Sequence, residues 1–588
     1  MTLRATALER LQTETFDVLV VGGGINGAVS AACLATWGAR VALVDRSDFG
    51  GLTSQQSSNL IWGGIKYLET YEFGLVRKLC ASRNRLLRAY PSVVQEVRFY
   101  TAHAADFRHS LAKLFLGTLL YWALGGFFTR PPRLLSPSRI GDEEPVVDLR
   151  GADGGFEYSD AYLYDNDARF VWNFVRAAID HGAAAANYVE SLGAERGDDG
   201  LWSLRLRDRT TGREWVARAR LLVNACGPFV DDHNGRSGQA SGHRHVFSKG
   251  VHLIVPRITR SHRVLTFFAD DGRPFFVIPM GPRTCIGTTD TRVNGPDTRV
   301  SGEDRRFVLD NINKRLRLPS PLTEADVVAE RCGVRPLVVG GEAGEAVDWL
   351  KLSRKHVVEV DPKRAHVSIF GGKLTDCLNV AEEVAAAARA LGTPLPGRGR
   401  RWYGEPGRDA RDAFFLRAER VGLDALTPPT ALEPLSRRLW RRYNLAAFAM
   451  LDDVVADRRK AETLVEGTDY VRCEIEHMAR REMVTKLDDF LRRRSKVALV
   501  MRRDELERSP GLREACRIFF GDAADERARE YFAEADAYAA PAGADSPPAG
   551  GPGAARSDGP APPSGGPAAR PEPPRLQPGP ALARGNGA

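Results

Sequence analysis

The chain has 588 residues, 43% of them hydrophobic and 27% charged, the balance of a globular protein of two or three domains rather than a fibrous or wholly disordered one. A formal net charge of +8 and a pI near 9.1 admit an anionic lipid surface, an anionic substrate or nucleic acid as partner. The eight cysteines stand singly, without a CxxC pair or a Cys/His cluster of zinc spacing, so no metal site is expected and a reducing, intracellular compartment fits.

Residues 1–15 read as an N-terminal arm. It mixes acidic and basic residues with no apolar core before Phe16, so secretion is not expected. Phe16, Val18, Leu19, Val20 and Val21 then form a short apolar run, the pattern of a parallel strand covered on both faces. Ala28 to Gly38 reads as a helix of small residues, and Arg40 to Asp45 as a second buried strand, giving a βαβ opening. The uncharged stretch Leu114 to Phe128 is about 15 residues, short of the roughly 20 that span a bilayer. It reads first as a buried core helix and second as a segment dipping into a lipid interface. Trp202 to Arg207 and Glu214 to Ala219 read as a hairpin, followed by a separate buried strand Leu221 to Asn224. Phe275 to Pro279 and Arg283 to Gly287 read as another hairpin, Val367 to Phe370 as a late strand and Ala381 to Leu391 as a helix. Residues 401–538 are helical in pattern and read as a separate domain, with Val471 to Arg494 as one amphipathic stretch. The Ala/Pro/Gly-rich tail 539–588 cannot bury enough apolar surface to fold and is expected to be disordered. Residues 16–400 then form the main domain.

Gly22-Gly23-Gly24-Ile25-Asn26-Gly27 matches G-x-G-x-x-G between a strand and a helix. Gly22 permits the tight turn, Gly24 close approach of a pyrophosphate, and Gly27 close helix–strand packing. The helix start offers its N–H groups to phosphate, and Asp45 closes the next strand where an acidic residue binds a ribose hydroxyl. A dinucleotide site follows. Two later features favour FAD over NAD. Asn224-Ala225-Cys226-Gly227 ends a buried strand as in two-dinucleotide-domain flavoproteins. Gly371-Gly372-Lys373-Leu374-Thr375 places a second helix start where a flavin can dock.

The run Thr53-Ser54-Gln55-Gln56-Ser57-Ser58-Asn59-Leu60-Ile61-Trp62-Gly63-Gly64-Ile65-Lys66-Tyr67-Leu68-Glu69 resembles a signature of the membrane-associated, FAD-dependent glycerol-3-phosphate dehydrogenases, S-S-K-L-I-H-G-G-x-R-Y-L-E. Further motifs of that family follow in order. Leu222 to Asp231 is similar to VNATGPWVD, Ser248 to His252 to SKGSH, and Phe276 to Asp290 to FVIPWEGRTLIGTTD. Gly333 to Leu337 matches GVRPL and Phe370 to Thr375 matches FGGKLT. The resemblance spans about residues 14–535. It departs at Asn59 for the signature lysine, Trp62 for histidine, Lys66 for arginine, and Asp376-Cys377-Leu378 for TYR.

The resemblance implies an α/β, FAD-binding Rossmann-like two-dinucleotide-domain fold with an antiparallel-sheet substrate domain and a C-terminal all-α domain. It implies oxidation of sn-glycerol 3-phosphate to dihydroxyacetone phosphate by hydride transfer to flavin N5, with electrons passed to quinone. Gly22, Gly24, Asn26, Gly27, Asp45, Thr53, Ser54, Ser57, Ser58, Ala225, Gly227, Gly372, Lys373, Leu374 and Thr375 are the expected cofactor contacts, and Trp62 in place of histidine implies non-covalent FAD. Lys66, Tyr67, Arg354 and Trp62 are the expected substrate contacts. Arg335, Lys373 and His252 are the expected catalytic group, and which of them accepts the proton stays open. Guanidinium suits a phosphate, and imidazole has the pKa of a base near neutrality.

Two other readings stand beside this one. The departures fit an FAD-dependent dehydrogenase or oxidase of a different phosphorylated polyol or a specialised-metabolism alcohol. The positive charge and altered signature fit a flavin-bound, non-catalytic scaffold, although the basic residues lack the interleaved aromatics of a nucleic-acid binder, so none is expected as partner. The expected location is cytoplasmic. Peripheral contact with the inner face of the cell membrane stays open, through 114–128 and the arginines at 437–438, 441–442 and 492–494, which otherwise read as exposed helix faces. A homodimer also stays open.

Overall fold

The computed structural model describes residues 2–539 except Asp271, Asp297, 341–354 and Thr430. Arg354 and the tail from residue 540 lie outside the described residues, so the expectations placed on them are not addressed.

The strand Thr15–Val21 is buried on both faces from Phe16 onward, as is Val41–Val44. They form the centre of a sheet ordered 357–361, 366–370, 214–224, 15–21, 41–44, 184–186, in which every neighbouring pair but the first is parallel. Strands Val189–Arg196 and Trp202–Asp208 add to it antiparallel. Glu214–Asn224 is one strand, not the two expected. Its first half alternates exposed and buried residues against 202–208, and its second half enters the parallel core, so the change of pattern marks a change of surroundings rather than a break.

The glycine-loop helix runs Ile25–Thr36, three residues earlier than the small-residue run suggests, because Gly24 is its N-cap. Its small buried side chains let it lie between helices Asp167–Asp180 and Cys377–Ala390. The latter also starts early, after a single tight turn Leu374–Asp376 that follows the Gly-Gly-Lys segment. Both early starts bring helix N-termini to the same place.

The second sheet holds ten strands and is antiparallel except where 264–268 meets 94–104. Its longest ladder joins His243–Pro256 to Ala329–Gly340 over twelve paired positions. The helices from Arg408 onward close around their own core, with Phe414, Trp440, Leu451, Ile475, Phe490 and Leu512 buried in it.

Three further readings change. The N-terminal arm is a helix, Leu3–Thr13, capped by Thr2 and docked through buried Ala7 and Leu11. Segment 114–128 is not a buried core helix: in the helix Leu111–Leu124 only Thr118 and Tyr121 are buried, whereas Leu116 is 66% exposed and Phe127 beyond it 61%. The stretch 471–494 is two pieces, Arg472–Arg481 and a wide turn Asp489–Arg494, separated by Met483 at φ +51°. Asp489, at the start of the second piece, accepts from the backbone N–H groups of Thr485 (2.7 Å) and Lys486 (2.9 Å) just ahead of it.

The arginine clusters are also corrected. Arg437 is exposed, but Arg438, Arg441, Arg442, Arg493 and Arg494 are buried. Arg441 and Arg442 reach Asp165 at 2.6 and 2.9 Å, and Arg493 and Arg494 reach Asp48 at 2.8 and 2.7 Å. These guanidinium groups bond the helical block to the first domain instead of facing lipid or solvent. A buried charge needs a partner: Asp165 and Asp48 supply it from the first domain, and Glu433, Glu474, Asp488 and Asp489 supply it from the helical block itself.

Candidate active site

The glycine loop is shaped by close approach. Gly22 has φ +100° and sits where any Cβ would strike the Ala225 carbonyl, and a Cβ on Gly27 would strike the Gly22 carbonyl. The buried Ala225 donates its N–H to Val21 at 2.8 Å, so the second strand motif forms one wall of the loop, and Gly227 follows with φ +58°. Asp45 accepts from the N–H groups of Gly23 (2.6 Å) and Ser47 (2.8 Å) and from the Ser47 hydroxyl (3.0 Å), which fixes its carboxylate at the end of the strand. Burial pushes its carboxyl up, against the lowering effect of those donors.

The cofactor side is tied together over long sequence distances. Ser54 Oγ accepts from Ile25 N–H at 3.0 Å, and Asn26 Nδ2 donates to the Gly371 carbonyl at 3.0 Å. The two turns, 345 residues apart, therefore meet through one side chain. Thr53 Oγ1 donates to the Val334 carbonyl (2.8 Å), and Ser57 Oγ donates to Asp167 (2.8 Å). Ser58 is half-buried between Ser57 and the buried Asn59. Gly372 has φ +106° and lies beside Asn26, while Gly371 packs on Val338. Thr375 Oγ1 donates to the Trp62 carbonyl at 3.1 Å, with Leu374 half-buried beside it. Lys373 Nζ stands 4.3 Å from the ring centroid of buried Tyr67, and Lys66 in the same short turn is exposed.

The facing wall is the 243–256/329–340 ladder. Residues two apart on a strand share a face, so Ser248, Gly250 and His252 line up with Arg335, Gly333 and Arg331. Arg335 donates to Asp290 (3.2 Å) and to Thr288 Oγ1 (3.2 Å), and Ser248 Oγ donates to the same Asp290 oxygen. Its guanidinium lies over Gly250, where any Cβ would overlap it. His252 is buried, and neither ring nitrogen has a hydrogen-bond partner among the described residues. Burial, then the charges of Arg335 and Arg331, push its pKa down to about 3, so the imidazole is neutral near pH 7.

Of the expected residues, the structure gathers the two glycine turns, Asn26, Ser54 and Thr53 on one side, and His252 with Arg335 on the other. Trp62, Tyr67 and Lys373 cluster between Thr375 and the second sheet. Ser248, Asp290, Gly250 and Arg331 went unmarked in the sequence. The first three stand inside motifs already quoted; strand alternation puts Ser248 and Gly250 on the face of His252, whereas Asp290 lies past the end of strand 283–287 and joins them through its bonds with Arg335 and Ser248.

The pattern described as FAD dependent oxidoreductase matches residues 17–347, and the one described as C-terminal domain of alpha-glycerophosphate oxidase matches residues 418–516. Glycerol-3-phosphate dehydrogenase 2 of Mycobacterium tuberculosis is 32% identical over 84% of this chain and 83% of its own length. The chain belongs to the FAD-dependent glycerol-3-phosphate dehydrogenase family. Other members include the aerobic glycerol-3-phosphate dehydrogenase of Escherichia coli (30% identical over 84% of this chain and 96% of that one) and the D-erythritol 1-phosphate dehydrogenase of Brucella abortus (31%, 82% and 95%). The fold is that of the glycerol-3-phosphate dehydrogenase from Bacillus halodurans solved with FAD, at a TM-score of 0.67 and 23% identity, covering 91% of this chain and 97% of that one.

As a member of this family the protein is an FAD-dependent oxidoreductase. Its own residues fit the cofactor. Two helix starts converge, one turn leaves open the place of a Cβ at Gly24 with only Ser54 Oγ within 4 Å, and the buried Oδ1 of Asn26 has no partner among the described residues. An acceptor oxygen of that kind needs a donor, and a ligand lying between the turns can provide it. No helix among the described residues is long and apolar enough to cross a membrane.

Proposed function

We propose that this chain oxidises the secondary hydroxyl of sn-glycerol 3-phosphate, giving dihydroxyacetone phosphate. The observation that carries this reading is the pairing of a fixed guanidinium, Arg335, with a buried, neutral, unpartnered imidazole, His252, on one strand-pair face. The chemistry that bound FAD supplies is acceptance of the hydride at N5. Arg335, held by Asp290 and Thr288, binds and orients the phosphorylated substrate. His252 takes the hydroxyl proton on a free ring nitrogen. At rest its pKa is low for a base, first through burial and then through the two neighbouring guanidinium groups; an anionic substrate offsets the second, smaller cause and so raises it. Lys373 over Tyr67 adds a cation at the other wall, and Trp62 closes the pocket with an apolar side chain where the signature has histidine.

Electrons leave to a membrane quinone in this reading. Its support is the apolar surface of Leu116, Leu120, Phe127 and Phe128, with exposed Arg130 and Lys113 beside it. Monomeric proteins rarely leave such a patch uncovered without a partner surface. A second reading, oxidation of a longer phosphorylated polyol, is favoured by Trp62 and Asn59 and by the D-erythritol 1-phosphate dehydrogenase among the relatives. Anaerobic bleaching of the flavin separates the two. The expected result is fast bleaching by glycerol 3-phosphate. Bleaching by a phosphorylated tetritol alone would select the second reading, and a yellow protein that neither compound bleaches would end both.

A further inference from the structure

Asn59 stands where the family signature has lysine, so this chain lacks a cation at that point of the flavin-side segment. The structure supplies one from across the site. Arg331, on the 329–340 strand, donates Nη1–H to Asn59 Oδ1 at 2.9 Å and to the Ser57 carbonyl. Asn59 holds φ +59°, a conformation asparagine adopts more readily than most residues. It thus turns its amide toward the carbonyl of Asp165 (3.0 Å) on one end and toward Arg331 on the other.

Arg331 is only 1% exposed, and its Nε and Nη2 have no hydrogen-bond partner among the described residues. Its nearest carboxylate, Asp167, is 3.9 Å away and already accepts from the N–H and hydroxyl of Ser57. A buried guanidinium with two unsatisfied nitrogens is costly unless something anionic arrives. Its position says where that would be. In the ladder Arg331 pairs with His252 and shares a face with Arg335, with only Gly333 between them. At Gly333 this face lies against Gln56 of the flavin-side segment.

We propose that Arg331 is a specificity-determining residue of the substrate pocket, a second guanidinium for the phosphate ester that takes over the cationic place the signature gives to residue 59. This rests on the reading that the pocket takes a phosphorylated substrate. Asn59 is then the positioning residue that aims it, and the pair Asn59–Arg331 replaces one flexible ammonium by a fixed fork of donors.

The test uses inorganic phosphate as probe and the full chain loaded with FAD. Phosphate affinity is measured by isothermal titration, so no turnover is required. Arg331→Met, which keeps an unbranched apolar stem in the buried slot, is expected to weaken phosphate about tenfold or more, the loss expected for a charge-assisted hydrogen bond. Its flavin content and visible spectrum are expected to stay those of the parent. Arg331→Lys, which keeps the charge but not the fork of donors, is expected to bind phosphate more weakly than the parent and more tightly than Arg331→Met. The double variant Asn59→Lys with Arg331→Met is expected to regain most of the lost affinity, which a purely structural role for Arg331 would not produce. Parent-like phosphate binding by Arg331→Met overturns the proposal, as does a parent that binds no phosphate. If Arg331→Met and Arg331→Lys both shed flavin, the residue is an anchor of segment 57–59 and the proposal also falls. Failure of glycerol 3-phosphate to bleach the flavin would end the substrate reading while leaving the titration result in place.

Discussion

The guanidinium of Arg335 occupies the space that a side chain at position 250 would fill. Gly250 is not at a turn and needs no unusual backbone angle. It is a glycine because the neighbouring strand lays the Arg335 side chain across it. Gly250→Ala is therefore expected to push Arg335 off Asp290 and Thr288 and to lower kcat/KM by about 100-fold, the scale of one charged contact made in the transition state. Thermal unfolding should change little, because the ladder itself is untouched. Unchanged kcat/KM in steady-state assays would contradict this.

Asn26 joins the two cofactor turns, donating to the Gly371 carbonyl while its Oδ1 is left for a ligand. Asn26→Ala removes both contacts. Retention of FAD through gel filtration is expected to fall, with the dissociation constant raised about tenfold for a lost hydrogen bond or two. Full flavin occupancy after dialysis would argue that Asn26 only packs.

Four imidazoles are held neutral by burial: His252 and His366 are pushed down to about 3, His233 and His477 to about 4. In the unfolded chain each titrates at about 6.5. Between those values the unfolded state binds more protons, so this stabilisation is complete above about pH 6.5 and is lost as pH falls toward 3 or 4. The slope is up to about 1.4 kcal/mol per pH unit for each imidazole. His356, held between Asp376 and Glu383, is raised and works in the opposite sense, so the comparison that isolates one group is His252→Gln against the parent. Denaturant midpoints from pH 7 to pH 5 should fall less steeply in His252→Gln; parallel curves would show that His252 protonates in the folded state.

The fold was readable where a physical rule has one solution. Phe16 to Val21 running into Gly22-Gly23-Gly24 can only be a buried strand entering a tight turn, and it is. The second turn at Gly371 was readable from its place between a strand and a helix, and the family likeness added to it. What stayed hidden were relationships between strands. Spacing puts Gly250 on the face of His252, but nothing in it shows that one register brings Arg331 and Asp290 there as well, because register is set by the pairing of distant segments. The arginine pairs misled for a related reason. Arg493 and Arg494 look solvated beside their own helix neighbours, and their partner Asp48 is 446 residues from Arg494.

The apolar patch predicts a lipid contact that can be removed. Replacing Leu116 and Phe127 together by glutamate puts two charges on an exposed surface, so folding should be unaffected. Sedimentation with vesicles of mixed anionic and neutral lipid is expected to fall from near complete to near none, since each burial of such a side chain stabilises membrane contact by about 1.5–3 kcal/mol. Equal sedimentation of parent and variant would remove the support for quinone as acceptor.

Asp48 accepts from Arg493 and Arg494 at 2.7–2.9 Å in a site closed to solvent. Asp48→Asn leaves two buried cations short of charge and is expected to cost about 3–5 kcal/mol, seen as a lower apparent Tm. An unaltered Tm would show that water reaches these groups in solution.

That same contact ties together two distant parts of the chain. Asp48, three residues past the carboxylate that closes the second strand, is neutralised by arginines nearly 450 residues further on. A chain cut short before Arg493 therefore lacks both cations that this carboxylate, close to the dinucleotide turn, faces in the folded protein.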